Sequence, residues 1–321
     1  MRANTNKLKV AFVVGEFPKL SETFIINQIA DLLDRDLHVE VFAYVLGESN
    51  SYISSRFHTY GMSKLTQSLQ PSVIFRFASL PQTIGNFFRL VKNPASTLRM
   101  LKYCWKVRSF RAIFKITPFI GKHFDLIHCH FGEIANRFLL IQEALQIKTP
   151  LITTFYGYDV SKVFKECSRN VYDDLMRKCS LFFVMSADMK RRVVARGFPD
   201  EQVKVLPVSI DVESYPFSER ILHPETPIEF VSVGRFVEKK GLDDVIRAIA
   251  IVKQRTTKPF RCSIIGSGPL EQNLRELASS LTVTDKIDFK GYMKVEDIIQ
   301  LFPAMHIMVQ PSKTASDGDM E

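Results

Sequence analysis

Short apolar runs alternate with amphipathic stretches along this chain, the alternation lapses once, and then it starts again. That order constrains the fold strongly, because strands that alternate with helices close most simply as a parallel sheet covered on both faces. In the first half the spacing predicts strands over residues 9–14, 39–45, 125–129, 151–155, 180–185 and 203–207. Gly15-Glu16-Phe17-Pro18 reads as a turn, and Ser21 as the N-cap of a helix reaching about Leu33. A further helix is expected over 135–145, and Ser186 caps one through Arg196. Between Asp211 and Pro227 the periodicity lapses, and Pro216, Pro224 and Pro227 mark a linker. Strands then resume over 228–233, 261–265, 286–290 and 306–310, with helices beginning near Leu242, Leu270 and Val295. At 321 residues the chain exceeds the usual size of one domain. We therefore expect an α/β protein of two doubly wound units, 1–210 and 228–321, joined by a linker over 211–227. The second unit is expected to be incomplete and poorly stabilised at its end, since no helix follows its last strand.

The most informative stretch lies in the second unit. Gly234-Arg235-Phe236-Val237-Glu238-Lys239-Lys240-Gly241 follows a strand with Val231 and Val233 on one face. It opens a helix on which Leu242, Val245, Ile246, Ile249 and Val252 recur at helical spacing. In a parallel sheet such a loop sits at a strand's carboxyl end, where ligands bind and the next helix presents its free N–H groups. Arg235 offers a planar fork and Lys240 a compact charge. Each charge-assisted hydrogen bond to phosphate contributes roughly 1.5–3 kcal/mol, so two cations and a helix end suffice to hold a diphosphate. From the spacing alone, a solvated basic turn is an equally good reading. Gly266-Ser267-Gly268-Pro269 forms a second glycine loop before a helix, a routine pattern that is weak evidence by itself.

Charge is distributed unevenly. The chain carries a net charge of +9, yet from Ser49 to Phe124 there is no Asp or Glu. That span holds Arg56, Lys64, Arg76, Arg89, Lys92, Arg99, Lys102, Lys106, Arg108, Arg111, Lys115 and Lys122, interleaved with Phe75, Phe77, Phe87, Phe88, Trp105, Phe110 and Phe114. Basic helices with aromatics suit anionic lipid headgroups, and they also suit simple cover for a core. No nucleic-acid motif accompanies the charge, so no nucleic acid is expected as a partner. Five scattered cysteines without a Cys-x-x-Cys pair fit a reducing cytoplasmic setting, and no run of residues is long enough to span a membrane. We expect a cytoplasmic protein in peripheral contact with the anionic inner face of the cell membrane.

His128 and His130 share one strand face, but a metal pair needs a third ligand and the sequence offers none. They read as hydrogen-bonded core groups or as residues lining a cleft, the second favoured. Asp159 reads equally well as a cleft acceptor or a helix N-cap.

Together these stretches resemble glycosyltransferase family 4, retaining enzymes of the GT-B fold. The markers are Phe17-Pro18-Lys19-Leu20-Ser21-Glu22-Thr23-Phe24-Ile25, His128-Cys129-His130-Phe131, Tyr156-Gly157-Tyr158-Asp159, the Gly234–Gly241 loop, Gly266-Ser267-Gly268-Pro269-Leu270, Gly291-Tyr292-Met293 and Gly318-Asp319-Met320-Glu321. Within the family the chain looks most like bacterial exopolysaccharide enzymes of the colanic acid and amylovoran type. The resemblance implies two Rossmann-like domains facing a cleft, the first binding acceptor and the second the nucleotide sugar. It implies that Arg235 and Lys240 hold the donor diphosphate without a metal or other cofactor. It also implies that Gly15, Gly234, Gly266, Gly268, Gly291, Tyr292 and Met293 border the donor, and that Glu321 contacts the transferred sugar. The family's second glutamate would lie past Glu321, so the resemblance implies a C-terminal truncation. The family commonly has His-Gly where this chain has Tyr156-Gly157, and tyrosine donates a hydrogen bond without carrying a proton near neutral pH.

The expected function is transfer of a hexose from a UDP- or GDP-sugar to a lipid-linked or oligosaccharide acceptor in exopolysaccharide biosynthesis. The alternative is a truncated, non-catalytic fragment that binds nucleotide sugar.

Overall fold

The computed structural model describes residues 7–48, 53–70, 98, 102–105, 108, 112–167, 171–210, 212–220 and 225–320. The chain divides into two compact units, Met1–Val208 and Ser209–Glu321.

The first unit is a seven-stranded sheet, all of its pairs parallel. Its strands are β1 (Lys9–Phe17), β2 (His38–Leu46), β3 (Thr66–Ser68), β4 (Leu126–His130), β5 (Leu151–Thr154), β6 (Leu181–Val184) and β7 (Val203–Val205). They lie in the order β3-β2-β1-β4-β5-β6-β7. Alternation along β1 explains its two-sided burial. Val10, Phe12 and Val14 pack with Ile25, Ile26 and Ile29 of the helix Thr23–Asp34, while Ala11 and Val13 join the other core, with Phe138 and Ile141 of the helix Gly132–Leu145.

Three local expectations need correction. Gly15, Glu16 and Phe17 do not turn: β1 continues through them, paired with β2 as far as Phe17 against Leu46. Burying Phe17 in the core with Phe57 favours that extension over a turn. Ser21 is not the N-cap either. The cap position is Glu22, one residue later, because the Glu22 N–H bonds back to the Lys19 carbonyl at 3.0 Å and its carboxylate pairs with the Lys19 ammonium at 2.7 Å. The strand β3 follows no strong apolar pattern and was not expected. Ser186 does cap its helix, its hydroxyl accepting from the Met189 N–H at 3.1 Å.

The second unit repeats the winding with four parallel strands, β8 (Ile228–Val233), β9 (Phe260–Ile265), β10 (Ile287–Gly291) and β11 (Ile307–Met308), in the order β10-β9-β8-β11. Ile228 and Phe230 face one core with the helices Leu242–Arg255 and Glu271–Ser280, while Val231 and Val233 face Ile298 and Met305 on the other side. The last strand is shorter than the sequence suggests, and both its residues are exposed. The segment after it is tied down by ion pairs and hydrogen bonds.

Candidate functional site

Both sheets switch direction of winding at their first strand, between β1 and β4 in one unit and between β8 and β11 in the other. Ligands of open α/β sheets bind beside the carboxyl ends of strands at such points.

In the second unit the ends of β8, β9 and β10 are laced together by backbone. The Gly234 N–H donates to the Ile265 carbonyl at 2.9 Å, Gly266 N–H to the Gly291 carbonyl at 2.8 Å, and Phe236 N–H to the Ser267 carbonyl at 2.9 Å. A Cβ on Gly266 would stand 1.9 Å from the Gly234 carbonyl oxygen, at a φ of +142°, so only glycine fits. One on Gly268 would stand 2.7 Å from the Phe236 carbonyl oxygen. These glycines let two strand-end loops touch through their main chains, and they are needed for the architecture whatever binds nearby.

The cations divide by direction. Arg235 is exposed. The stem of Lys240 lies over Gly234, with its Cδ 3.3 Å from where a Cβ would stand. Lys239 is buried, and its ammonium reaches Asp319 at 3.2 Å and the Met320 carbonyl at 3.5 Å. Gly241 follows at a φ of +64°, and the helix Leu242–Arg255 begins there with Asp243 and Asp244 in its first turn. Those two carboxylates already hold Lys313 at 2.8 Å each. Arg235 and Lys240 are therefore the sequence-expected cations that stand at a strand end beside a helix start. Tyr292 and Met293 follow β10 directly, and Met293 packs against the Val231 side of the sheet. Glu321 lies outside the described residues, while Asp319 and Met320 just before it come within reach of Lys239.

The first unit treats its switch point differently. His128 and His130 are 3% and 0% exposed, their ring centroids 4.2 Å apart, with Phe12 stacked on His130. His128 Nε2 meets the Thr154 hydroxyl at 2.7 Å and His130 Nδ1 the Tyr156 hydroxyl at 2.8 Å. Burial drives the His128 pKa down to about 3, and burial together with the neighbouring His128 lowers that of His130 well below its usual value. Both are neutral interior groups, which corrects the favoured reading of them as residues lining a cleft. Strand β4 lies in the middle of the sheet, and its residues from Ile127 to His130 are buried. Tyr156 is half-buried, packed on Phe24 and Phe131, and burial raises its pKa, so its phenol stays protonated.

Asp159 settles as an acceptor inside the core. One carboxylate oxygen takes the Gly132 N–H and the other the Tyr156 N–H, each at 3.0 Å. It thereby serves the first N–H of the helix Gly132–Leu145 from a distant turn. Burial pushes its pKa up to about 7 against the opposing pull of those N–H groups. Gly132 itself is obligatory, since a Cβ there would come 2.4 Å from Phe155 and 2.8 Å from Tyr172. Phe131 before it is held at a φ of +73°. Neither constraint is visible in residue order alone. A Cβ on Gly15, by contrast, would make only ordinary contact with Ile134, 3.5 Å away, so packing does not require that glycine.

Two family models divide the chain close to where the structure does. Glycosyltransferase Family 4 matches residues 21–214 and Glycosyl transferases group 1 matches residues 216–318. The chain belongs to glycosyltransferase family 4. Among relatives of this family-4 chain is the putative colanic acid biosynthesis glycosyltransferase WcaL of Escherichia coli, 30% identical over 98% of this chain and 78% of that one. The amylovoran biosynthesis glycosyltransferase AmsK of Erwinia amylovora is 28% identical over the same shares. In fold, the family-4 chain is similar to the Anabaena protein HepE, whose crystal structure holds UDP and glucose, with a TM-score of 0.61 at 14% identity over 96% of this chain and 75% of that one. A glycosyltransferase of Rickettsia africae gives a TM-score of 0.60 at 16% identity, over 96% of this chain and 73% of that one. These likenesses establish the two Rossmann-like units of a GT-B glycosyltransferase.

The remaining expectations meet the structure unevenly. No described helix is long and apolar enough to cross a membrane, and no three metal-ligating side chains gather among the described residues. Of the basic span, Arg76, Arg89, Lys92, Arg99, Lys106 and Arg111, with Phe75, Phe77, Phe87, Phe88 and Phe110, lie outside the described residues. Trp105 is 84% exposed, whereas Arg56 pairs with Asp31 and Lys122 with Glu40.

Proposed function

We propose that this glycosyltransferase moves a hexose from a UDP- or GDP-sugar to a lipid-linked or oligosaccharide acceptor in exopolysaccharide biosynthesis. The observation that carries the reading is the loop after β8, where exposed Arg235 and the Lys240 stem over Gly234 stand at a strand end beside the start of a helix. HepE binds UDP and UDP-glucose in solved complexes, and WcaL and AmsK are named for colanic acid and amylovoran biosynthesis, which supports this donor class and pathway.

The chemistry follows from charge. As the bond between sugar and phosphate breaks, negative charge grows on the departing diphosphate, and Arg235 and Lys240 neutralise it without a metal ion or other cofactor. Attack by the acceptor hydroxyl on the face the diphosphate leaves, its proton passing to a departing phosphate oxygen, gives retention. Gly15, Gly234, Gly266, Gly268, Gly291, Tyr292 and Met293 border the donor, Glu321 contacts the transferred sugar, and the Tyr156 phenol donates a hydrogen bond rather than moving a proton. The exposed Trp105 within the acid-free span supports peripheral contact with anionic lipid on the cytoplasmic side.

The test is turnover with UDP- and GDP-hexoses and a lipid-linked acceptor. Arg235→Ala with Lys240→Ala should lower kcat/KM by at least about 100-fold. Wild-type rates in that variant would overturn the donor-site assignment, and nucleotide-sugar binding without any turnover in the unaltered chain would favour a binding role.

A further inference from the structure

The turn Glu238–Lys240 holds three consecutive side chains that leave it in three directions, as a 3-10 turn with three residues per turn requires. Glu238 points to the returning C-terminal segment, accepting from the Ser316 N–H at 2.9 Å and hydroxyl at 2.7 Å. Lys239 points inward, 7% exposed, to Asp319. Lys240 is left with the third direction, over Gly234. The segment from Pro311 to Met320 is tied along this loop at further points. The Lys313 N–H donates to the Lys239 carbonyl at 2.8 Å, and the Pro311 carbonyl oxygen occupies the space a Cβ on Gly241 would need, 2.1 Å away. Within the segment, Ala315 N–H donates to the Asp319 carbonyl at 2.8 Å and Gly318 N–H to the Ala315 carbonyl at 2.9 Å, which fixes the carboxylate that Lys239 meets.

A lysine is costly to bury unless an opposite charge meets it. We infer that Lys239, the third cation of the loop, is a positioning residue rather than a phosphate ligand: its ion pair with Asp319 locks the turn in the rotation that aims Lys240 at the diphosphate. This rests on the reading of the Gly234–Gly241 loop as the donor diphosphate site. The carboxylate of Asp319 therefore acts on an anionic ligand of its own charge sign, indirectly and favourably. That sign is what separates the inference from its rival. If Lys239 were itself a ligand, removing Asp319 would free it and strengthen binding.

The experiment is calorimetric titration of the chain with UDP and with GDP, beside thermal unfolding of each variant. Lys239→Met should weaken the tighter of the two by about tenfold, and Asp319→Asn should weaken it by a similar factor. The double variant should be no weaker than the worse single one, since both break one pair. Lys239→Arg should stay within about threefold of wild type, because it keeps the charge. Lys313→Met loosens the same segment by removing its contacts to Asp243 and Asp244 without touching the turn's rotation, so it should lower Tm and leave affinity within about twofold. Unchanged or tighter binding in Asp319→Asn overturns the inference, as does a loss in Lys313→Met equal to that in Asp319→Asn, which would mean that general loosening suffices. If Lys239→Met fails to fold, Asp319→Asn and Lys239→Arg carry the comparison. Arg235→Ala separates the two levels: wild-type affinity there means the loop is not a diphosphate site, while a loss there with none in Asp319→Asn leaves the site standing and removes the role of Lys239.

Discussion

The two units begin with the same winding and finish their central strands in opposite ways. In the first, the strand ends near β1 and β4 are filled by side chains: two neutral histidines bond the Thr154 and Tyr156 hydroxyls, and a buried aspartate accepts from two backbone N–H groups. In the second, the ends of β8 and β9 are kept bare by glycine so that backbone meets backbone, and the charge is carried by Arg235, Lys239 and Lys240. One topology thus supports a closed polar core and an open cationic loop. The residue types at the strand ends decide which.

This contrast can be broken most directly at a glycine. Gly266→Ala forces a Cβ onto the Gly234 carbonyl and should destabilise the second unit by about 3 kcal/mol, whereas Gly15→Ala in the first unit should cost less than about 0.5 kcal/mol. Hydrogen exchange on peptides from β8–β9 and from β1 would read each unit separately. Equal effects would mean that the glycine ends of the two sheets are not different in kind.

A second test uses acid. The two buried histidines stay neutral when folded but take up protons near their usual 6.5 when unfolded, so the first unit loses stability as pH falls from about 6.5 toward 4. Asp159 works the other way, keeping its proton up to about pH 7 when folded and so favouring the folded state as pH falls from 7 to 4. Two groups outweigh one, and the net loss should be about 1 kcal/mol per pH unit over that window. The second unit's shifted carboxylate, Asp285, is lowered by its bond to Lys253 and changes charge only below this range. Denaturant unfolding followed by unit-resolved exchange at pH 7 and pH 5 should show the first unit alone softening. Softening of both units together would remove the distinction.

A third test is Asp159→Asn, which leaves either the Gly132 or the Tyr156 N–H facing an amide donor. A loss of about 1–2 kcal/mol should appear in the first unit only. No loss would mean that these N–H groups find another acceptor and that the aspartate is not what closes this strand end.

Much of this was legible from residue order. Strand-helix alternation announced two parallel sheets because apolar periodicity is a local property, visible in windows of ten residues. The loop from Gly234 to Gly241 was recognisable for the same reason: glycines, cations and the next helix's apolar stripe follow one another without interruption. The edges of elements were less legible. Glu22 displaced Ser21 as cap because of one backbone bond to Lys19, and β1 outran its expected turn because Phe17 is buried.

By itself, then, the sequence determined the class of fold and which loop carries the cations. What only the tertiary structure decided was direction and partnership. Asp159 serves an N–H 27 residues earlier, and Lys239 is turned inward by an aspartate 80 residues away. No periodicity encodes such pairs, because a charged side chain is held by whichever opposite charge or donor the folded chain brings within about 3 Å, and that depends on strand order and crossover path rather than on neighbours in sequence.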